Sequence, residues 1–548
     1  MTAPHGGRAQ NPGRARRVLG TVLTVLAGLL VFTALVLPRE LGQVVPGALL
    51  RIPVEALLGV LAVLVLGHRA GRVVAVVCGA VLGLLTILKT IDMGFLEALG
   101  RPFDPVVDWA QLAAGGTFLV DTLGRAGAVA AVAGVAVLAV ALVVLTALAA
   151  RRLAGVVTRH RRASARGVAV LAACWLALAV TGAEIVPPVP VASRSAASLA
   201  YQKAVGVPAS VADQQAFTER FAVDAFHDTP GPELLRGLRG KDVVLTFVES
   251  YGRSAIEDPA VAPLVDPVLA DGTRRLGAAG YSARSGFLTS PVAGGGSWLA
   301  HATLLSGLRI SNQQQYRTLV GSDRMTLTRA FQRAGWRTVA VQPGTSSPWP
   351  EGKFYGIDQL YDAAHMGNRS RAFAGFHTPD QYTLAQFERA ERARPGRGPL
   401  MAEIPLVSSH WPFTPLPRTV DWNEIGDGSI YDTPAGTADP GGVGPDEQDL
   451  RPAYGRSIAY SLSSLISYVE THGDDDLVLV FLGDHQPTPA VTGQGASRDV
   501  PITIVARDPT VLDRISGWGW QNGLEPGPEA PVWPMEDFRD RFLTAFGR

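Results

Sequence analysis

Cysteine is nearly absent from this chain: of 548 residues only Cys78 and Cys174 carry a thiol, and both sit in apolar runs. Everything after residue 190 therefore folds without a disulfide and without thiol chemistry. That does not assign it to a reducing compartment, because a domain of roughly 350 residues buries enough surface to be stable on its core. A charge excess is lacking too, with 49 Lys and Arg against 48 Asp and Glu. The bulk positive field of a nucleic-acid-binding protein is excluded. No self-similarity at a period of roughly 20 to 50 residues is visible, which removes solenoids and propellers.

What the chain does have is hydrophobic length at its start. Apolar stretches run over Val18–Leu37, Pro53–Leu66, Val73–Leu88, Ala128–Ala150 and Val168–Val186. A helix needs about 20 apolar residues to cross a bilayer, a length that the first, fourth and fifth reach. The second, with Glu55 near its start, and the third are shorter; a hairpin turning at His68-Arg69-Ala70-Gly71-Arg72 lets them extend through Ile52 and Ile91. Five transmembrane helices are expected over residues 1–190.

Arginine gathers in alternate loops: Arg8, Arg14, Arg16 and Arg17 in the tail, Arg69 and Arg72 in the hairpin, and Arg151, Arg152, Arg159, Arg161, Arg162 and Arg166 after the fourth stretch. Short loops of this kind stay cytoplasmic. The intervening loops mix Arg39, Arg51, Lys89, Arg101 and Arg125 with Glu40, Asp92, Glu97, Asp104, Asp108 and Asp121. The expected protein is thus a multi-pass protein of the cell membrane, with a cytoplasmic N-terminus and everything after Val186 extracellular. No small-residue cleavage site follows the first stretch, so a removable signal peptide is a poor reading. Lys89 and Asp92 read as interfacial charges that snorkel, with a functional role as the alternative.

The prolines of Ile185-Val186-Pro187-Pro188-Val189-Pro190 favour a stiff, extended exit from the membrane, and 191–240 reads as a linker arm. From Lys241 onward, strand-length runs at Val243–Val248, Thr338–Gln342, Leu400–Val407, Leu477–Leu482 and Ile502–Val505 alternate with helical patterns. The latter cover Trp298–Ser306, Met325–Ala334, Gln381–Ala393 and Ala453–Thr471. This alternation predicts an α/β domain over 241–548 with a mostly parallel, buried central sheet. Arg418–Asp449, rich in Asp, Gly and Pro, reads as a long loop.

Chemistry gathers where these runs end. Glu249 closes one strand-like run and Asp484-His485 follow another. Strands of an open sheet bring their carboxyl ends to one edge, where ligands bind. Two carboxylates and one imidazole suit a single divalent ion, Mn²⁺ or Mg²⁺, and tolerate Zn²⁺. Ser297 supplies a fourth ligand: it follows Gly294-Gly295-Gly296, which let the backbone approach a phosphate, and it opens a helix whose N–H groups favour anions. Coordination lowers the proton affinity of a hydroxyl and so makes a nucleophile of it. Taken singly, a strand-terminal Glu is often just solvated, a glycine run with Ser is a capped loop, and Asp-His is a local hydrogen bond. Their joint occurrence in this order decides for a metal site.

On these residues the chain from about 240 to 510 resembles the alkaline-phosphatase and sulfatase superfamily, and within it the membrane-anchored lipoteichoic acid synthase and phosphoglycerol transferase branch. The resemblance implies five N-terminal spans before an extracellular catalytic domain. It implies Glu249, Ser297, Asp484 and His485 as ligands of one divalent metal, with Ser297, a threonine in most of the branch, carrying a covalent phospho-intermediate. It implies His410, in Ser409-His410-Trp411, as a substrate-side catalytic histidine, and Trp349 as a residue of the substrate pocket. The branch continues Trp-x-Arg where this chain has Trp349-Pro350-Glu351, and Gln342 stands near the place of an expected histidine. These departures fall on the head-group side of the site, where Arg253 and Lys353 read as cations that replace the lost charge in substrate binding or, as the alternative, as ordinary surface residues.

The implied reaction is transfer of a phospho-alcohol head group, phosphoglycerol-like, from a membrane phospholipid to a glycolipid, polymer or glycan acceptor. Hydrolysis of phosphate mono- or diesters at the same site is the alternative, and a non-catalytic membrane scaffold a third. Sulfate-ester hydrolysis is disfavoured, because Ser297 lacks the Cys/Ser-x-Pro-x-Arg context. His301, four residues after Ser297, reads as a packed structural histidine.

Overall fold

The computed structural model describes residues 12–38, 47, 50–99, 101–186, 189–346, 348–373, 375–413, 415–432, 450–493 and 495–547. Arg8, Arg39, Glu40, Pro187, Pro188 and the part of the expected long loop from 433 to 449 lie outside them. The chain divides into two compact units, Met1–Glu97 with Arg101–Val211, and Ala98–Gly100 with Ala212–Arg548.

The first unit is helical: α1 (Pro12–Val36), α2 (Val54–Leu99), α3 (Trp109–Arg159), α4 (Arg161–Thr181) and most of α5 (Ser195–Phe221). Among the described residues, α1 to α4 each contain a segment long and apolar enough to cross a membrane. Helix α2 is 46 residues long and is broken at Gly67, whose φ of 74° and ψ of −170° are not helical. Glycine takes this conformation at little cost. A Cβ placed on Gly71 would lie 3.2 Å from the Val63 carbonyl oxygen, whereas eight residues of continuous helix span about 12 Å. The chain therefore doubles back, and the second and third apolar stretches are the two limbs of this hairpin. The second limb packs tightly on α3, since a Cβ on Gly79 would meet the Thr146 carbonyl at 2.7 Å. Small residues allow such close helix approach.

Lys89 and Asp92 correct the snorkelling expectation. Both are fully buried. Lys89 Nζ donates to the carbonyls of Ala34 and Leu35 at 3.1 and 3.2 Å, at the end of α1, and to Ser195 Oγ at 3.2 Å. Asp92 accepts from Lys203 Nζ at 2.7 Å and from the Phe103 N–H at 3.0 Å. Charges withdrawn from water in this way need such partners.

The second unit is built on a nine-stranded sheet. Its strands are β1 (Asp242–Val248), β2 (Ser282–Thr289), β3 (Arg337–Gln342), β4 (Gln359–Asp362), β5 (Leu400–Leu406), β6 (Leu477–Gly483), β7 (Asp499–Ala506), β8 (Gln521–Asn522) and β9 (Val532–Pro534). The order is β8-β2-β7-β6-β1-β5-β3-β4, with β9 beside β2. Strands β6, β1, β5, β3 and β4 are mutually parallel. Strand β7 runs antiparallel to both β6 and β2, so the sheet is mixed. Alternate residues of β1 feed opposite faces: Val243, Leu245 and Phe247 enter one apolar core, Val244 and Val248 the other. That two-sided burial is why the run is continuously apolar in sequence.

Strand β2 (SARSGFLT) was not legible as a strand because its buried positions include a polar pair, Ser285 Oγ bonding Thr503 Oγ1 of β7 at 2.9 Å. A helix over Ala262–Ala278 was also unforeseen.

Candidate functional site

Register brings the acids together. In the parallel pair β1 and β6, Val248 stands opposite Gly483. The next residues, Glu249 and Asp484, thus leave the sheet side by side at its carboxyl edge, with His485 following. All three are buried, at 8%, 1% and 1% exposure. One ligand atom from each lies within 4.8 Å of the others.

Ser297 arrives from the far side of the sheet through the loop that follows β2. That loop is tied to the segment after β6: Ser290 Oγ donates to the Asp484 carbonyl at 2.7 Å and the Gly294 N–H to the Gln486 carbonyl at 2.8 Å. Gly294, Gly295 and Gly296 take φ values of 72°, 152° and 87°, which side-chain-bearing residues rarely adopt. Helix α6 (Ser297–Ser306) then starts on Ser297 itself. Its hydroxyl donates to Glu249 Oε2 at 3.0 Å and sits 3.2 Å from His485 Nε2.

The surrounding bonds fix each group. His485 Nδ1 donates to the Gln486 carbonyl at 2.8 Å, which leaves the Nε2 lone pair facing the cluster. Asp484 Oδ1 accepts the backbone N–H groups of Ser250 and His485, both at 2.8 Å. Ser250 holds a positive φ of 58° to offer that N–H, and its Oγ donates to Glu249 Oε1 at 2.9 Å. Burial, and then the neighbouring Asp484, push the Glu249 carboxyl up. Asp484 is itself held below the usual carboxylate range: burial opposes this, but His485 and then His301 outweigh it, with the Ser250 N–H adding to them. His485 is raised, since Asp484 and Glu249 together overcome the effect of burial.

These groups fit a divalent cation. Asp484 Oδ2 is buried with no hydrogen-bond partner, 3.6 Å from His485 Nε2. Two adjacent buried carboxylates repel unless a positive charge joins them. Three oxygens and one nitrogen, from Glu249, Ser297, Asp484 and His485, make a hard donor set suited to such an ion.

The other sequence candidates are placed differently. His410 is half-buried, donates from Nδ1 to the Trp411 carbonyl at 2.6 Å, and acts electrostatically on Glu249. Arg253 already has its charge matched, by Glu257 at 2.8 Å and Asp499 at 3.3 Å, and lies over the Phe287 ring. Trp349 is half-buried and stacks on Tyr355 with ring centres 5.6 Å apart. His301 stacks on Phe247 at 3.7 Å and faces Glu403 Oε1 at 3.3 Å, in keeping with a packed histidine.

One neighbour of the site has no sequence signal. Asp380 and Ser408 bond reciprocally, each backbone N–H donating at 3.0 Å to the other's side chain. This ties the chain around His377 to the chain around His410, and burial followed by His410 lowers the proton affinity of His377.

Residues 241–500 match the family model described as Sulfatase. No curated protein matches the sequence. Similar solved structures include the lipoteichoic acid synthase LtaP from Listeria monocytogenes, 15% identical over 57% of this chain and 73% of that one, with a TM-score of 0.38. The phosphoglycerol transferase GacH from Streptococcus pyogenes is 14% identical over 61% and 80%, with a TM-score of 0.36. The lipooligosaccharide phosphoethanolamine transferase A from Neisseria meningitidis is 14% identical over 96% and 95%, with a TM-score of 0.42.

Proposed function

We propose, from a sulfatase-like domain over 241–500 in a chain with membrane-length helices, that this protein is a metal-dependent phosphotransferase. It moves a phospho-alcohol head group from a membrane phospholipid to a glycolipid, polymer or glycan acceptor outside the membrane. The observation that carries this reading is the Ser297 hydroxyl, which donates to Glu249 Oε2 at 3.0 Å and lies 3.2 Å from His485 Nε2 in a buried two-acid cluster. In this reading residues 1–190 form five spans with the N-terminus cytoplasmic, 191–240 is the arm, and 241–548 is the extracellular catalytic domain. Tethering suits a lipid donor, because it holds the site among head groups at high effective concentration.

A divalent ion, Mn²⁺ by preference, held by Glu249, Ser297, Asp484 and His485, would neutralise charge on the phosphate and ease deprotonation of the serine. Ser297 Oγ, its proton passing to the Glu249 carboxylate that already accepts it, attacks phosphorus: the Oγ–P bond forms, the P–O bond to the glycerol backbone breaks, and diacylglycerol leaves. His410 gives the leaving alkoxide its proton. An acceptor hydroxyl then attacks the phosphoserine, returning its proton to His410, and Ser297 Oγ is released. The positive end of the helix that begins at Ser297 favours the anionic phosphate throughout.

The test is mass spectrometry of the full-length protein incubated with Mn²⁺ and either phosphatidylglycerol or phosphatidylethanolamine, without acceptor. The peptide bearing Ser297 should gain the mass of one head group, and that mass names it. An unmodified Ser297 together with a Ser297→Ala variant as active as wild type would sink the mechanism. Adding glycerol and measuring its share of product against water separates transfer from hydrolysis.

A further inference from the structure

Between the two limbs of α2 lies a half-open cavity of about 580 Å³, bordered by α1, α3 and α5. Its walls are aliphatic side chains and small residues such as Gly59, Ala62 and Ala154. Among the described residues Glu55 is the one charged residue in the lining, at the end of the limb away from the turn. Its Oε1 accepts the Ala197 N–H at 2.9 Å, while Oε2 is buried with no hydrogen-bond partner.

Both facts restrict what fills the space. An aliphatic cavity of this size leaves its lining short of contact atoms, and water in it would find one polar atom where it needs two to four. In a bilayer the filler at hand is a hydrocarbon chain. The buried carboxylate oxygen calls in addition for an N–H or O–H donor. Among the described residues no Lys, Arg or His lines the cavity, so a lipid phosphate beside Glu55 would meet a like charge and no counter-charge there. A neutral lipid with a free hydroxyl meets every condition.

We propose that this cavity binds diacylglycerol, an acyl chain lying along the hairpin and the free hydroxyl donating to Glu55 Oε2. The fit to a neutral hydroxyl lipid rests on the cavity alone; its role as a holding site for the released product rests on the reaction proposed above.

Native mass spectrometry of the full-length protein, loaded with equal amounts of dioleoylglycerol, phosphatidylethanolamine and phosphatidylglycerol, tests the assignment. Wild type should retain one dioleoylglycerol in preference to either phospholipid. Gly59→Leu should abolish retention, since a Cβ at Gly59 meets nothing within 4 Å and the side chain fills the cavity without displacing a helix. Glu55→Gln, which keeps the volume, should weaken retention about tenfold by the loss of one charge-assisted hydrogen bond. Preferred retention of phosphatidylethanolamine would overturn the proposal in favour of an ammonium lipid. Equal retention by all three proteins would reduce the occupant to annular lipid. Retained dioleoylglycerol with an unmodified Ser297 sinks the transfer reaction and not this site, whereas a normal Ser297 adduct without retained dioleoylglycerol sinks this site alone.

Discussion

At the amino end of β1, Asp242 is buried at 2% exposure, receives Arg397 Nη1 at 2.7 Å and has Arg392 Nε 3.4 Å away. Just past the carboxyl end of the same strand, Glu249 is also buried, at 8% exposure, but stands beside a second acid and an imidazole, and among the described residues no Lys or Arg pairs with it. One strand thus carries two buried carboxylates in opposite electrostatic settings. The first is closed, with its charge compensated from within the protein. The second leaves negative charge and a buried Asp484 oxygen open, an arrangement that is destabilising unless a cation from outside completes it. The Lys203–Asp92 and Arg101–Asp108 pairs of the helical unit, at 2.7 and 2.6 Å, belong with the closed kind.

Substitution at the open end should have the largest effects. His485→Ala removes a donor and Asp484→Asn removes charge; each should lower turnover by about a thousandfold or more and release bound Mn²⁺, measured by elemental analysis. Full metal content with normal activity in His485→Ala would remove the distinction between the two ends. His410→Ala should lower turnover by roughly 10² to 10⁴ and leave the metal bound, as a group acting on substrate would. Loss of the ion in that variant would move His410 into the ligand set.

At the closed end the expectation reverses. Asp242→Ala should cost about 1 to 3 kcal/mol of stability by taking the buried carboxylate from Arg397 and the Leu400 N–H, while Arg392 keeps Asp474 at 2.6 Å, with the specific activity of the folded protein unchanged. Thermal unfolding and activity below the transition measure both parts, and a fall in activity per folded molecule would contradict the comparison. Asp380 sharpens it with a third setting: a buried carboxyl met by the Ser461 hydroxyl and the Ser408 N–H rather than by a cation. Burial raises it to about 6. An acid raised on folding favours the native state while protonated, so its contribution is full below the unfolded value near 4 and is lost as pH rises towards about 6. Asp380→Asn should flatten that segment of the stability profile; an unchanged profile would mean that the carboxyl stays ionised.

Legibility in the sequence followed how continuous each burial pattern is. Strands β1 and β6 are covered on both faces and read as almost unbroken apolar runs, so the positions just beyond them, Glu249 and Asp484, stood out as edge residues. Ser297 was marked by the glycines that its approach requires. Strand β2 hid behind polar residues that satisfy each other only across the sheet, and β7 gave no sign of running antiparallel. Arg392 and Arg397 lie some 150 positions from Asp242, and no local pattern announces such a pairing. Glu403 behind His301, and His377 near His410, escaped for the same reason. In the helical unit, Gly67 turns two short stretches into one hairpin, which the arginine-rich loop beside it had located, while the burial of Lys89 and Asp92 depended on α1, α5 and Lys203.

The run Gly294-Gly295-Gly296 also has a genetic consequence. Every amino-acid change reachable from a glycine codon by one base adds a Cβ, and at left-handed backbone angles each such residue costs about 1 to 2 kcal/mol. Missense changes at three consecutive codons are therefore disfavoured together, although none of them encodes a side chain. Random mutagenesis selected for function should deplete missense changes at these three codons, immediately upstream of Ser297.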